Sequence, residues 1–264
     1  GDSFTIGYEV NGDETYAAVL EKYLLKKGIK GEVINAGMSG NSNAEELIFL
    51  EHEGLKYHPD IVILGFYTND LDDNVRSDLY HFINNDLVLN KTEYLPAIKS
   101  RNFLNSFFVY RWLSEHSYLH NFLNVIATQY LKDRLLQKRK SAFHGEAISQ
   151  EDSNKVLRYQ QRLATTLVKK MYSTAKAQGI YFILLDIPKR DLSPSFPSLP
   201  EIGVSDCSDL YLNSGEILKE YEGLVELYQP HGHGHWTAFS HLIVGKHLGE
   251  IICQEFDLKG NQGK

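Results

Sequence analysis

Four short segments hold side chains that together could carry out nucleophilic chemistry on an acyl group. Ester cleavage near neutral pH needs an activated nucleophile, a general base and hydrogen-bond donors for the oxyanion. A serine, a glycine turn, an asparagine and a histidine have these properties, and they are Ser3, Gly40, Asn69 and His235. These residue types predict a serine nucleophile served by a histidine base.

The local sequence around each residue suits such a role. Ser3 lies in GDSFT, ahead of a helix predicted from near Asp13, and Gly40 separates a predicted strand from a predicted helix. A glycine there lets backbone N–H groups approach a ligand closely. Asn69 follows an apolar strand, where its amide can donate to an oxyanion. His235 lies in a loop that enters the last helix. Each segment taken alone also fits an ordinary turn, so the prediction rests on all four together.

Short apolar runs alternate with amphipathic helical segments along the chain. The runs of β type cover residues 32–36, 60–66 and 180–185. Helical periodicity covers residues 14–27, the segment that begins at 42, and residues 153–178 and 237–256. The pattern predicts an α/β fold in which helices cover both faces of a parallel sheet. In such sheets the reactive groups collect at the carboxyl ends of the strands.

A segment at about residues 72–140 interrupts this alternation. It is rich in aromatic residues and too apolar for a disordered linker. We predict a mostly helical insertion that packs on the core, serving either as a substrate wall or lid or as a purely structural addition. Residues 1–264 then form a single domain with this one insertion.

Composition narrows the classes of partner and compartment. A formal net charge of -7 argues against a nucleic-acid partner, since binding phosphates needs a basic face. Cys207 and Cys253 lie far apart and are interpreted as two separate thiols. The sequence shows no signal peptide and no bilayer-length apolar run, and it begins at Gly1 rather than at Met. We therefore expect its N-terminal part to be missing.

In this order, the four segments resemble the blocks of the SGNH/GDSL hydrolase (lipase/acylhydrolase) family. The matching sequences are GDSFT, GMSGNS, GFYTND and GHW. The resemblance implies a three-layer α/β/α sandwich with a flavodoxin-like parallel sheet, whose first strand precedes GDS and is missing here. It also implies that Ser3 attacks the acyl carbon and that His235 takes its proton, without a cofactor. The Ser3 N–H, the Gly40 N–H and the Asn69 side chain would form the oxyanion hole.

The chain departs from this family at the acid that orients the histidine. The family places an Asp two or three residues before the histidine, where this chain has His233 and Gly232. A backbone carbonyl could orient His235 instead, or an acid from elsewhere could reach it, or the site is impaired. The candidate acids are Asp186, Asp206 and Asp209.

Alternating histidines near the C-terminal end raise the question of a metal. His231, His233 and His235 alternate, and His241 follows. Metal sites usually add a carboxylate or a fourth ligand and a second shell of hydrogen bonds. We therefore predict no metal site, and we expect His241 to pack or cap within the last helix.

The sequence predicts a serine ester hydrolase that acts through an acyl-serine intermediate on a small-molecule or carbohydrate ester. Alternatives are a carbohydrate O-acetyltransferase or acetylesterase, a non-catalytic binding protein with this fold, and a metal-dependent hydrolase. The acyl length and the oligomeric state are not readable from the residues. Proteins with a similar domain layout are often exported or membrane-anchored, so we favour these locations over the cytoplasm.

Overall fold

A computed structural model describes residues 1–90, 107–110, 112, 117, 130, 134, 150–189, 206–230 and 234–255. The helices used below are α1 (Ser3–Ile6), α2 (Tyr16–Lys26), α3 (Asn43–His52), α4 (Asp70–Ser77), α5 (Gln150–Ala177), α6 (Ser214–Leu218) and α7 (Ala238–Glu255). The strands are β1 (Ile61–Tyr67), β2 (Tyr80–Ile83), β3 (Asp86–Leu89), β4 (Tyr181–Ile187) and β5 (Leu210–Asn213). The chain divides into two compact units, Gly1–Asp70 with Val168–Lys264 and Leu71–Leu167.

The first unit contains a parallel sheet of three strands in the order β1-β4-β5. β1 and β4 pair from Ile61↔Tyr181 to Tyr67↔Ile187. Because β4 lies between two partners and is covered on both faces, its residues from 182 to 187 are all buried. The predicted α/β fold with a parallel sheet is confirmed.

Most of the predicted elements lie close to their predicted bounds. α2, α3, α5, α7, β1 and β4 all form where the hydrophobic periodicity placed them. At the start of α3, the Ser42 N–H donates to the Glu45 carboxylate over 2.6 Å, as the spacing of these two residues predicts. Both cysteines are free thiols.

One predicted strand is wrong, and one strand of the sheet was not predicted. Residues 32–36 form no strand, because the Val33 N–H donates to the Glu21 carboxylate over 2.7 Å instead of joining a ladder. β5 was missed because four residues are too few to show a clear alternation.

The core of the first unit lies between the sheet and the pair α2 and α7. Trp236, which directly follows His235 in sequence, is fully buried among these elements. α7 approaches α2 so closely that a Cβ added at Gly245 would lie 2.6 Å from the Tyr16 carbonyl oxygen. This packing fixes the position from which the last loop enters α7.

The second unit begins with α4 and a β-hairpin. β2 and β3 pair antiparallel, and their turn uses Asn84 and Asn85 at φ of 48° and 74°. The Arg162 guanidinium from α5 lies 4.1 Å from the centre of the Phe82 ring. The prediction of a mostly helical insertion is therefore wrong for residues 80–89. Much of the remaining predicted insertion lies outside the described residues, and the prediction of a single domain stays a prediction. None of the helices in the described parts of the chain is long and apolar enough to cross a bilayer.

Candidate active site

Ser3 and His235 meet, although 232 positions separate them in sequence. His235 Nε2 lies 2.8 Å from Ser3 Oγ. The serine hydroxyl has a second acceptor in Asp2 Oδ2, which is farther away at 3.2 Å. The imidazole is therefore the nearer acceptor for the single hydroxyl proton, which is the arrangement that a general base requires.

Local hydrogen bonds fix the backbone of the serine. Asp2 is fully buried and accepts the Phe4 N–H over 3.0 Å, so it caps the four-residue helix α1 that begins at Ser3. Gly7 then ends α1 in the left-handed region at φ 79°, and the Tyr8 N–H donates to the Ser3 carbonyl over 3.0 Å. Burial is the largest effect on the Asp2 carboxyl and raises its pKa. Through these contacts Asp2 shapes the turn that carries the nucleophile.

His235 is held by main-chain bonds at the base of its loop. The Gln229 N–H donates to the His235 carbonyl over 2.8 Å, and the Thr237 N–H donates to the Leu227 carbonyl over 3.0 Å. The rings of Phe4 and Tyr8 lie 5.0 and 5.1 Å from the imidazole, centre to centre. These main-chain hydrogen bonds and the two aromatic contacts therefore orient the imidazole.

Glu9 supplies the carboxylate next to the second nitrogen of the imidazole. Its Oε2 lies 3.2 Å from His235 Nδ1. Glu9 sits six residues after the serine, on the segment that Gly7 turns back toward the histidine loop. The sequence analysis did not find this contact, because Glu9 lies in none of the four blocks that carry the resemblance.

The three acids expected to orient His235 have other partners or lie at the surface. Asp186 accepts the Tyr211 hydroxyl over 2.7 Å. Asp209 accepts the Phe182 N–H over 2.8 Å and the Lys176 ammonium over 2.9 Å. Asp206 is exposed. The expectation of Asp186, Asp206 or Asp209 is therefore corrected, since Glu9 holds that place beside Nδ1.

Asn69 lies just after β1, in the turn that leads into α4, as the sequence predicts. Its side chain hydrogen-bonds the Asp2 carboxylate, and this bond opposes the rise in the pKa of Asp2. A primary amide carries two N–H groups, so a bond to Asp2 orients the amide beside the residue that precedes Ser3. Its part in an oxyanion hole stays a prediction.

Gly40 lies in a turn whose loop is attached to α1. The Asn41 N–H closes this turn on the Met38 carbonyl, and the Met38 N–H donates to the Gly1 carbonyl, each over 3.1 Å. At Gly37 an added Cβ would lie 2.3 Å from the Ile6 backbone nitrogen, so only glycine allows this approach. The loop of Gly40 is thus joined to the helix of the nucleophile. The contribution of the Gly40 N–H to an oxyanion hole remains a prediction.

The structure describes only part of the histidine cluster near the C-terminal end. His231 and His233 lie outside the described residues, whereas His241 is fully buried in α7. The His241 Nδ1 accepts the Tyr16 N–H over 3.2 Å, which is a packing and capping role. Burial, and secondarily the nearby His235, lowers the pKa of His241 to about 4.

His241 is expected to make folding stability fall as the pH falls from 6.5 to about 4. In this window the unfolded chain binds a proton at His241 and the folded protein does not, so the loss reaches about 3 kcal/mol below both pKa values. Denaturant unfolding across this range should show a flatter pH dependence in His241→Asn, which keeps an acceptor for the Tyr16 N–H. His52→Asn, at an exposed position, is the control. An unchanged slope in His241→Asn would contradict the assignment.

Comparison with known proteins supports the family resemblance. The model of the GDSL-like Lipase/Acylhydrolase family matches residues 1–102, the part of the chain that carries Ser3, Gly40 and Asn69. The crystal structure of TesA is similar in fold, with a TM-score of 0.50 and 15% sequence identity over 96% of this chain and 94% of that chain. No curated protein matches the chain. The predicted resemblance is confirmed, and the family match supports a hydrolase function.

Proposed function

We propose that this chain, with its confirmed resemblance to GDSL-like acylhydrolases, is a serine ester hydrolase that acts through an acyl-Ser3 intermediate. The observation that carries the proposal is the 2.8 Å contact between Ser3 Oγ and His235 Nε2. Both residues are largely buried, at 8% and 9% exposure, which limits competition from water for this hydrogen bond.

In the first step, His235 Nε2 takes the hydroxyl proton while Ser3 Oγ attacks the acyl carbon. The tetrahedral intermediate then collapses, and the imidazolium gives that proton to the leaving alkoxide. In the second step a water molecule attacks the acyl-serine and loses its proton to His235. The carboxylic acid leaves, and the proton returns to Ser3 Oγ. Each step uses the same pair of atoms.

The developing oxyanion needs donors that are already in place. We assign this role to the N–H groups of Ser3 and Gly40 and to the side-chain amide of Asn69. Two observations support the assignment: the loop of Gly40 is hydrogen-bonded to Gly1, and Asn69 is hydrogen-bonded to Asp2. Fixed donors stabilise the transition state because they need no rearrangement during the reaction.

A small-molecule ester is the substrate class that this site suits best. Apolar side chains next to the nucleophile and on the attached loop are exposed, and they are Ile6, Tyr8 and Met38 at 44%, 41% and 59%. Such side chains favour contact with an apolar part of a substrate. A carbohydrate ester that carries a short acyl group fits the same chemistry, with water as the acceptor of the acyl group.

A serine-directed fluorophosphonate tests this proposal directly. We expect one covalent adduct per chain, found on the peptide that contains Ser3, and hydrolysis of short-chain p-nitrophenyl esters that a chelator does not reduce. Folded protein that neither labels nor hydrolyses these esters would support a non-catalytic binding protein instead. Activity that a chelator abolishes would support the metal-dependent alternative.

A further inference from the structure

We infer that Glu9 is the positioning acid of this site and holds the imidazole of His235 in the orientation that serves Ser3. The inference rests on the proposed function, and it assigns to Glu9 the task for which the resemblance expects an Asp just upstream of the histidine. That upstream position holds His233 in this chain. The acid would therefore come from the segment after the nucleophile rather than from the histidine loop.

The first argument is the tautomer that the geometry requires. His235 Nε2 faces the Ser3 hydroxyl at 2.8 Å, and as a base it must accept that proton. The single proton of the neutral imidazole then resides on Nδ1, where it donates to Glu9 Oε2 over 3.2 Å. A carboxylate at this distance favours the productive tautomer and stabilises the imidazolium that forms during attack.

The second argument is the protected setting of the contact. Although Glu9 as a whole residue is exposed, its side chain is only 21% exposed, and the His235 side chain is 11% exposed. Partial removal from water strengthens the attraction between a carboxylate and an imidazolium. The contact thus differs from an ion pair between two solvent-exposed side chains, which contributes little.

The third argument is the backbone of Glu9 itself. Glu9 has φ 73°, in the left-handed region that disfavours side chains with a Cβ, so a glycine would be more stable there. In this conformation the Glu9 carbonyl accepts a hydrogen bond from the Gln229 side-chain amide over 3.3 Å. The Gln229 N–H also donates to the His235 carbonyl. One residue therefore fixes the acid and the base relative to each other, and the strained position carries the side chain that the base needs.

This backbone strain allows a test that separates positioning from structural support. Glu9→Gln removes the charge and keeps the size, whereas Glu9→Gly removes the side chain and relieves the unfavourable φ. In both variants we expect kcat for an aryl ester to fall about 10²- to 10⁴-fold with KM unchanged, as for loss of the orienting acid in a Ser-His-Asp triad. The rate of fluorophosphonate labelling at Ser3 should fall by the same factor. The melting temperature of Glu9→Gly should equal or exceed that of the wild type.

Two matched variants serve as controls. Asp13→Asn removes a negative charge from the same segment at a side chain that is 77% exposed. His58→Gly relieves another left-handed backbone, at φ 48°, on an exposed residue outside the site. Both should keep the wild-type kcat and labelling rate.

The opposite results would separate a failure of the Glu9 role from a failure of the proposed function. If Glu9→Gln and Glu9→Gly keep the wild-type kcat and labelling rate while Ser3→Ala is inactive, the positioning role of Glu9 is wrong and the serine mechanism stands. Should Ser3→Ala keep full activity, the proposed function itself fails, whatever the Glu9 variants do. Rates are normalised to the folded fraction of each variant, so a loss of stability cannot imitate a loss of catalysis.

Discussion

Ser3→Ala is expected to lower kcat for ester hydrolysis by about 10⁶-fold, the scale of losing the nucleophile of a serine protease. Without Oγ no acyl-enzyme can form, and the fluorophosphonate adduct should vanish. The variant should fold, because the main-chain bonds of α1 use the Ser3 carbonyl and the capping carboxylate of Asp2, and alanine leaves both in place. Steady-state kinetics with p-nitrophenyl acetate and intact-mass analysis after labelling measure the two effects.

The matched control for this substitution is Ser173→Ala, on an exposed face of α5. It removes a hydroxyl from the same unit of the chain and should leave both readouts unchanged. Full activity in Ser3→Ala would mean that another group attacks the ester. It would remove the acyl-serine mechanism.

His235→Ala is expected to produce a loss of similar size, about 10⁶-fold in kcat, because nucleophile and base act as one unit. The Ser3 hydroxyl would keep only Asp2 as an acceptor, at the longer distance of 3.2 Å. The Gln229 N–H donates to the main-chain carbonyl of residue 235 and not to its side chain, so the hydrogen bonds between the two ends of the loop should remain. With no imidazole to take the proton, the residual rate should rise steadily toward alkaline pH.

Measuring kcat/KM from neutral to alkaline pH tests this expectation, with His52→Ala as the control at an exposed position. A residual rate close to that of the wild type would show that another base serves Ser3. The double variant Ser3→Ala/His235→Ala should be no slower than either single variant. An additive loss would indicate two independent contributions and would contradict a shared proton transfer.

The elements that the sequence predicted well are those with long, strongly periodic patterns. β1 and β4 are continuous apolar runs, and α5 and α7 repeat apolar residues at helical spacing over many turns. The failures have local causes. Residues 32–36 have a strand-like composition, but Glu21 captures the Val33 N–H, and four-residue β5 is too short to leave a pattern.

The same contrast holds within the site. Ser3 and His235 were found because each lies in a short sequence block that resembles a family pattern. Glu9 was not found, because its contact depends on two adjoining features of the backbone, the left-handed Gly7 and the left-handed Glu9. Gly7 is an ordinary cap of α1, but at Glu9 the side-chain amide of Gln229, 220 positions away, donates to the carbonyl, and no local pattern of residues encodes that bond.

The main-chain pairing at the two ends of the histidine loop also bears on how this segment can be redesigned. His235 is anchored by contacts of residues 227–229 with 235–237 and by the burial of Trp236. These hydrogen bonds join main-chain atoms, so they do not depend on which side chains the paired residues carry. With Glu9 as the proposed positioning acid, the reaction needs no acid just upstream of His235. A redesign of this loop therefore has to keep the pairing of its two ends above all.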